Sequence, residues 1–524
     1  MNQNEKEKEF LKGIGQKVFM RLKDQFEKFS GLKLSEEREK LLLAELKLSE
    51  KEFFDSLDKS YQLASAGPRQ DYSRMRHFNK SMDEKLENIS RKFLHSGNVW
   101  INDGILFDSQ IGGLKHIHGS DDVIDVLGSA TSLSLGAHNP YVSIFDRLED
   151  AVKIRDNICM AYHPGIRQAF ALDKITKLHP NKKVEIVMHC ESSGTIANNI
   201  AIESAIAFVE KNGGKDVRLL AVDGTWAGAY GPAREGTGFN ITAFQDKRAK
   251  HLYVERTLPQ PTVENKAACM EQLQKRIGDK TLAGIIIEPD IIGDAGIITV
   301  DLQLLKEAME LLKKHKLPII VDCVQQLGRT GGYWGENVET ILKDYPHLII
   351  TTAKSASNGM PFSYTLMPKE IADSAYPVSH VTTNQFNGPL LRAIAVAEML
   401  INADFQKWIR QKSEKIDEIA ARHGVSLGLN GLRGKYLNRG IYVGSNENVK
   451  LAQIALLVED GILVGALPQS LRYQPMLLEY STTNELVAEI IFKRVNEVMK
   501  GNVSPEVKKI HEKMTGKSSG LARD

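Results

Sequence analysis

Apolar positions follow two rhythms along this chain. Over residues 1 to about 90 they recur at helical spacing, as in Phe10, Ile14, Val18, Phe19 and Leu22, within a charge-dense background. That spacing predicts a helical extension packed on the body or on a second subunit. Because Glu and Asp are mixed through the segment, it does not read as a basic membrane-surface helix. From about 180 the rhythm changes to short apolar runs separated by amphipathic stretches of helix length: VEIVMHC (184–190), RLLAVDG (218–224), AGIIIEP (283–289), LPIIVDC (317–323) and HLIITTA (347–353). Runs with so little alternation are strands buried on both faces, as in a mostly parallel sheet covered by helices. After about 390 helical spacing returns in LLRAIAVAEMLINA, followed by mixed strands and helices. The pattern divides the chain into a helical extension (1–90), the first part of a small domain (91–160), a large α/β domain (161–390), and an α+β remainder of the small domain with a tail (391–524). The tail from Pro505 reads as frayed.

Length fits this division, since 524 residues exceed what one core usually serves. The charge balance of 68 Lys and Arg against 66 Asp and Glu gives no electrostatic case for nucleic acid. No apolar run approaches a bilayer span, and the opening residues lack a secretory signal, so the protein is read as cytoplasmic and not membrane-bound. Four scattered cysteines, Cys159, Cys190, Cys269 and Cys323, have no CxxC spacing and argue against disulfides and structural zinc. His116 and His118 lack further ligands at metal spacing, so no metal is expected. GLRGKYLNRG (431–440) follows no clear strand and opens no clear helix, which rejects dinucleotide binding.

In a parallel sheet the residues past the strand ends face the ligand. Here they are Ser192 to Thr195, Gly224 to Gly228, Glu288, Asp322 and Lys354. A Ser-Ser-Gly-Thr turn between a strand and a helix gathers free N–H groups and a positive helix end, which suits a phosphate; an ordinary serine cap is the competing reading. Asp322 ends the strand IIVD, where a carboxylate is costly to bury without a cation. Lys354 follows the next strand, where desolvation can make an amine nucleophilic.

Taken together, GAHNP (136–140), SSGTIAN (192–198), EPDIIGDAGII (288–298), VDCVQQLGRTGG (321–332), AKSASNGMP (353–361) and LRYQPML (471–477) occur in an order that resembles the class III, ornithine/acetylornithine/4-aminobutyrate type, pyridoxal-phosphate aminotransferases of fold type I. The resemblance implies a large domain with a mostly parallel sheet, a smaller α+β domain, pyridoxal 5'-phosphate as cofactor and a homodimer with shared active sites. It implies that Lys354 carries the cofactor as a Schiff base and shuttles the proton, with Asp322 on the ring nitrogen. Gly194 and Thr195 would bind the phosphate with Ser193 nearby, Trp226 and Val324 would cover the two ring faces, and Gln325 would meet the ring hydroxyl. Glu288 falls in the same cofactor-binding set. Thr383, with Thr382 and Asn384 as the neighbouring alternatives, would reach the phosphate of the other subunit. Arg472 would pair with a substrate carboxylate, gated by Asp294. The partners would be an amino donor and a keto-acid or aldehyde acceptor. Departures from the family pattern include Cys323 within Asp-Cys-Val-Gln, and Ala227 after Trp226. Racemase, aminomutase, decarboxylase or lyase chemistry on the same lysine, and a non-catalytic scaffold, stand as alternatives.

Overall fold

A computed structural model describes residues 2–67, 107–117, 122–129, 131–151, 166–237, 253–375 and 389–518. Two long helices open it, α1 (Gln3–Ser30) and α2 (Glu36–Ser65). Asn2 caps α1 through the amide of Glu5 at 2.9 Å. Gly31 ends it at φ 71°, a conformation glycine takes without a Cβ penalty, and Ser35 then caps α2. The helical periodicity read from the sequence sets which face is inward: Leu11, Ile14, Val18, Phe19, Leu22 and Phe26 of α1 and Leu46, Phe53, Phe54 and Leu57 of α2 are buried in the main core.

This pair packs on α3 (Pro140–Ala151), α4 (Leu390–Leu400) and α5 (Ser481–Met499). Gly15 lets α1 approach closely, because a Cβ there would stand 2.2 Å from the Tyr141 ring. Phe19 meets Phe145 of α3 with ring centroids 5.7 Å apart. Phe19→Ala is therefore expected to cost about 3–5 kcal/mol of stability, read from the urea unfolding midpoint. Backbone and buried charge secure the first turn of α1: Ser481 N–H donates to Glu7 at 2.8 Å, and Thr482 hydroxyl donates to Asn4 at 2.5 Å. Behind them Lys412, over the Trp408 ring, donates to the carbonyls of Leu477 and Glu479. Burial holds the Lys412 amine below and the Glu479 carboxyl above their ordinary values.

The strands β1 (Phe107–Ile111), β2 (Leu114–Ile117) and β3 (Asp122–Asp125) form an antiparallel meander whose last member pairs in parallel with Ile462–Leu463. The central sheet contains β4 (Ile186–Glu191), β5 (Arg218–Val222), β6 (Val254–Leu258), β7 (Leu282–Ile287), β8 (Ile319–Asp322), β9 (Leu348–Thr352) and β10 (Ser363–Pro368), in the order β4-β10-β9-β8-β7-β5-β6. Only β10 runs against the others, so the remaining six strands end at the same edge. The expected α/β class with a mostly parallel sheet holds, and each of the five apolar runs is a strand. Leu219, Ile285, Ile286, Ile320 and Ile349 are buried, as two-sided covering requires. A last sheet joins β11 (Leu432–Lys435), β12 (Asn438–Tyr442), β13 (Gly465–Leu467) and β14 (Ser470–Tyr473) in the order β11-β12-β14-β13. The glycine-rich stretch at 431–440 is therefore a hairpin.

One expectation fails. The chain from Pro505 is not frayed through its length but forms a helix, Pro505–Ser518, with Val507 fully buried against Ile454 and Ala455. Among the described residues no helix is long and apolar enough to cross a membrane, and no group of acidic, His or Cys side chains could hold a metal.

Candidate active site

At the shared edge of the central sheet lies a cavity of about 340 Å³, lined by Ser193, Gly194, Thr195, Asn198, Trp226, Asp322, Val324, Gln325 and Lys354, among others. All but Asn198, which lies within the following helix, come from a strand end or the segment just past it. Ser193 follows β4 and caps the helix Gly194–Lys211, its hydroxyl facing the amide of Ile196 at 3.5 Å. The two readings of this turn are compatible: the serine caps one amide, while those of Gly194 and Thr195, in the first turn, have no intrahelical acceptor. A side chain at 194 would meet Val324 at 3.0 Å and Ala353 at 3.3 Å, so glycine keeps the backbone close to the cavity floor.

Asp322, the last residue of β8, is 4% exposed. Its carboxylate accepts from the Asn198 side-chain amide at 2.7 Å and from the Val324 amide at 2.9 Å. Among the described residues no cation lies within ion-pair distance of it. Burial pushes its carboxyl up to about 6, against the pull of those hydrogen bonds and of Lys354. Asn198 was not singled out from sequence as a site residue. It is buried, its oxygen accepts from Thr351 at 2.6 Å, and its amide also serves the carbonyl of Ala227 at 2.7 Å. It thereby ties β8, β9 and the loop of Trp226 together; the signal was present in SSGTIAN, but its partner is 124 positions away.

Lys354 opens a single turn of 3-10 helix after β9, with φ 48°. Burial holds its amine below the ordinary lysine value; Arg472 adds to this, while Asp294, Asp322 and Glu288 oppose it. Glu288 lies past β7 but does not line the cavity. It is buried, accepts from the Gly293 amide at 2.8 Å, and is raised well above the usual carboxylate range by burial and by Asp322 and Asp294. Gln325 lines the cavity with its carbonyl oxygen buried and without a hydrogen-bond partner. Such an acceptor is costly to leave unmade. Arg472, on β14, forms an ion pair with Asp294, and its Nε–H is buried without a partner. Thr383 lies outside the described residues, as do His118 and Cys159. Cys323, beside Asp322, is fully buried with its thiol pushed far up by burial, so it is a packing residue.

Comparison with known proteins gives a consistent picture. The Aminotransferase class-III family model matches residues 114–495. The acetylornithine aminotransferase of Methanopyrus kandleri is 31% identical over 181 residues, which is 34% of this chain and 44% of that enzyme. That of Bacillus anthracis is 28% identical over 62% of this chain and 79% of its own length. Among solved structures, the adenosylmethionine-8-amino-7-oxononanoate aminotransferase of Methanocaldococcus jannaschii superposes with a TM-score of 0.66 at 16% identity, covering 79% of this chain and 99% of that one. All of α1 and α2, from residue 3 to 65, therefore lies outside the region matched by the family model.

Proposed function

This chain belongs to the class III aminotransferases, which depend on pyridoxal phosphate, and from that premise we propose that it moves an amino group from an amine or amino acid to a keto acid or aldehyde, with Lys354 as the lysine that holds the cofactor covalently. The observation that carries the reading is the pairing of unmet needs in one cavity. Asp322 is buried without a cation, Gln325 presents a buried acceptor without a donor, and the first turn at Gly194 presents donors without an acceptor. A protonated pyridine nitrogen, a ring hydroxyl and a phosphate have the complementary chemistry.

When bound, the cofactor supplies an electron sink for the carbon whose bond is broken. The chain's residues supply the rest. Gly194 and Thr195 would hold the phosphate through backbone N–H groups, with Ser193 beside them. Asp322, kept in place by Asn198, would hold the ring nitrogen's proton. Gln325 would accept from the ring hydroxyl, and Trp226 and Val324 would cover the ring faces. Glu288 would act from behind the cavity, its buried carboxyl held beside Asp322 by the Gly293 amide. Lys354, its amine lowered by burial, would carry a proton between carbon atoms as a general acid and base. Residues 376–388 contain Thr383, for which we propose the phosphate of the second subunit in a homodimer.

Arg472 would take the substrate carboxylate, releasing Asp294 and giving its idle Nε–H a partner. The amino acid would then be a carboxylate-bearing one, in line with the acetylornithine aminotransferases among its relatives. Arg472→Ala is expected to raise KM for the carboxylate acceptor about 100-fold, with little change in cofactor affinity, in steady-state kinetics against a matched aldehyde. To test the reaction, the loaded protein is mixed with an amino donor in a single turnover. Loss of the visible band, and its return with a keto acid, is the expected result. A band that persists while the donor is racemised, decarboxylated or cleaved would sink the transamination reading.

A further inference from the structure

We propose that Arg392 is a positioning residue for Lys354, clamping the backbone turn that carries the lysine; this rests on the reading of Lys354 given above. The turn Lys354–Ser357 is bracketed by two non-glycine residues in the left-handed region, Lys354 at φ 48° and Asn358 at φ 51°. Such residues are strained and persist only where the surroundings hold them. Two clamps do so. On one side, the Asn358 side chain donates to the Gly136 carbonyl at 2.8 Å and accepts from the Leu135 amide at 2.9 Å. On the other, the Arg392 guanidinium, on α4, donates through Nε to the Ser357 carbonyl at 2.8 Å and through Nη2 to the Asn358 carbonyl at 3.1 Å.

Those two carbonyls end the turn, where no continuing helix supplies donors. The third side of the guanidinium meets Asp146 of α3 at 2.8 Å. A planar fork that serves two successive carbonyls and a carboxylate is a task for arginine and not for lysine. Arg392 is itself 8% exposed and does not line the cofactor cavity. It lines a neighbouring one of about 540 Å³ that shares Gly359 and Met360 with the first. The helical extension lies behind the clamp, since α1 packs on α4, α2 packs on α3, and Arg21 of α1 pairs with Glu398 of α4. The clamp therefore links the matched family region's lysine turn to an element outside that region.

The experiment uses full-length Arg392→Met and Arg392→Lys proteins. In cofactor-free protein, the pH at which Lys354 becomes reactive to acetic anhydride is followed by peptide mass spectrometry. Arg472, Asp294, Asp322 and Glu288 face Lys354 and are unchanged in both variants. The methionine variant should shift that midpoint upward by about one pH unit as the lysine loosens towards water. Its kcat should fall about 100-fold, the scale of an ångström of misplacement, with KM for the donor within about threefold. The lysine variant keeps the charge, so any midpoint shift in it is not Coulombic; it should recover about tenfold in kcat. A midpoint within about 0.3 pH unit of wild type, or a kcat within about twofold of it, in the methionine variant overturns the inference. If that variant does not fold, an unmoved midpoint and kcat in the lysine variant do the same. Cofactor trapped by borohydride on a lysine other than Lys354 in wild type would instead overturn the functional reading.

Discussion

Lys354→Ala will give a folded protein that lacks the visible absorption band of the wild type, does not regain it with added pyridoxal phosphate, and turns over about a millionfold more slowly. Two tasks vanish together: the amine that joins the cofactor and the base that moves the substrate proton. Only the methylene stem and the ammonium are lost from the fold, and β9 keeps its pairing with β8 and β10, so unfolding by heat should be nearly unchanged. Borohydride treatment followed by peptide mapping gives an independent check, because the wild type should retain the cofactor on the peptide containing Lys354. Activity within about a hundredfold of wild type would move the chemistry to another residue.

The second large effect is expected from Asp322→Ala, about a thousandfold in kcat, the scale of removing a preorganised charge from a dry site. Weakened cofactor affinity should accompany it. The pH dependence adds a signature. In the free protein the Asp322 carboxyl is pushed up to about 6, so below that pH it holds a proton and is neutral. Pairing with a protonated ring nitrogen requires the carboxylate, and affinity for the cofactor should therefore fall as pH drops through 6. Asp322→Asn should lack this component, while the titration of the phosphate itself remains in both proteins. Fluorescence titration of both between pH 5 and about 8 resolves the difference.

Much of this was legible in the sequence because the central strands are buried on both faces and so appear as uninterrupted apolar runs. The chemistry was legible because a parallel sheet delivers its strand ends to one edge, and Asp322, Trp226, Gly194 and Lys354 all sit just at or past such ends. What escaped depended on partners far along the chain. Strand β10, SYTLMP, is wholly buried, yet opens with Ser, Tyr and Thr, whose hydroxyls are satisfied by groups elsewhere: Ser363 by Ser193, Tyr364 by Tyr333 and Thr365 by Ala197. Asn198 looked like any helical asparagine until β8 placed Asp322 beside it. The helix from Pro505 was missed because its anchors, Val507 and the partly buried Ile510, pack on Ile454 and Ala455, some fifty residues earlier. Arg392 lies in a largely apolar helix, LLRAIAVAEML, and its partners, the orphan carbonyls of Ser357 and Asn358 and the Asp146 carboxylate, are all distant in sequence.

The hydrogen bonds that fasten the first turn of α1 to the start of α5 span 474 and 478 positions. On a ribosome adding about 5–20 residues per second, the partner of that turn is made roughly half a minute to a minute and a half after the turn itself. Until α3 emerges the apolar faces of α1 and α2 have only each other, and the early-made helices are clients for whatever shields nascent chains. The extension is thus synthesised well before the last element it docks on, and reaches its final seat only once α5 is present.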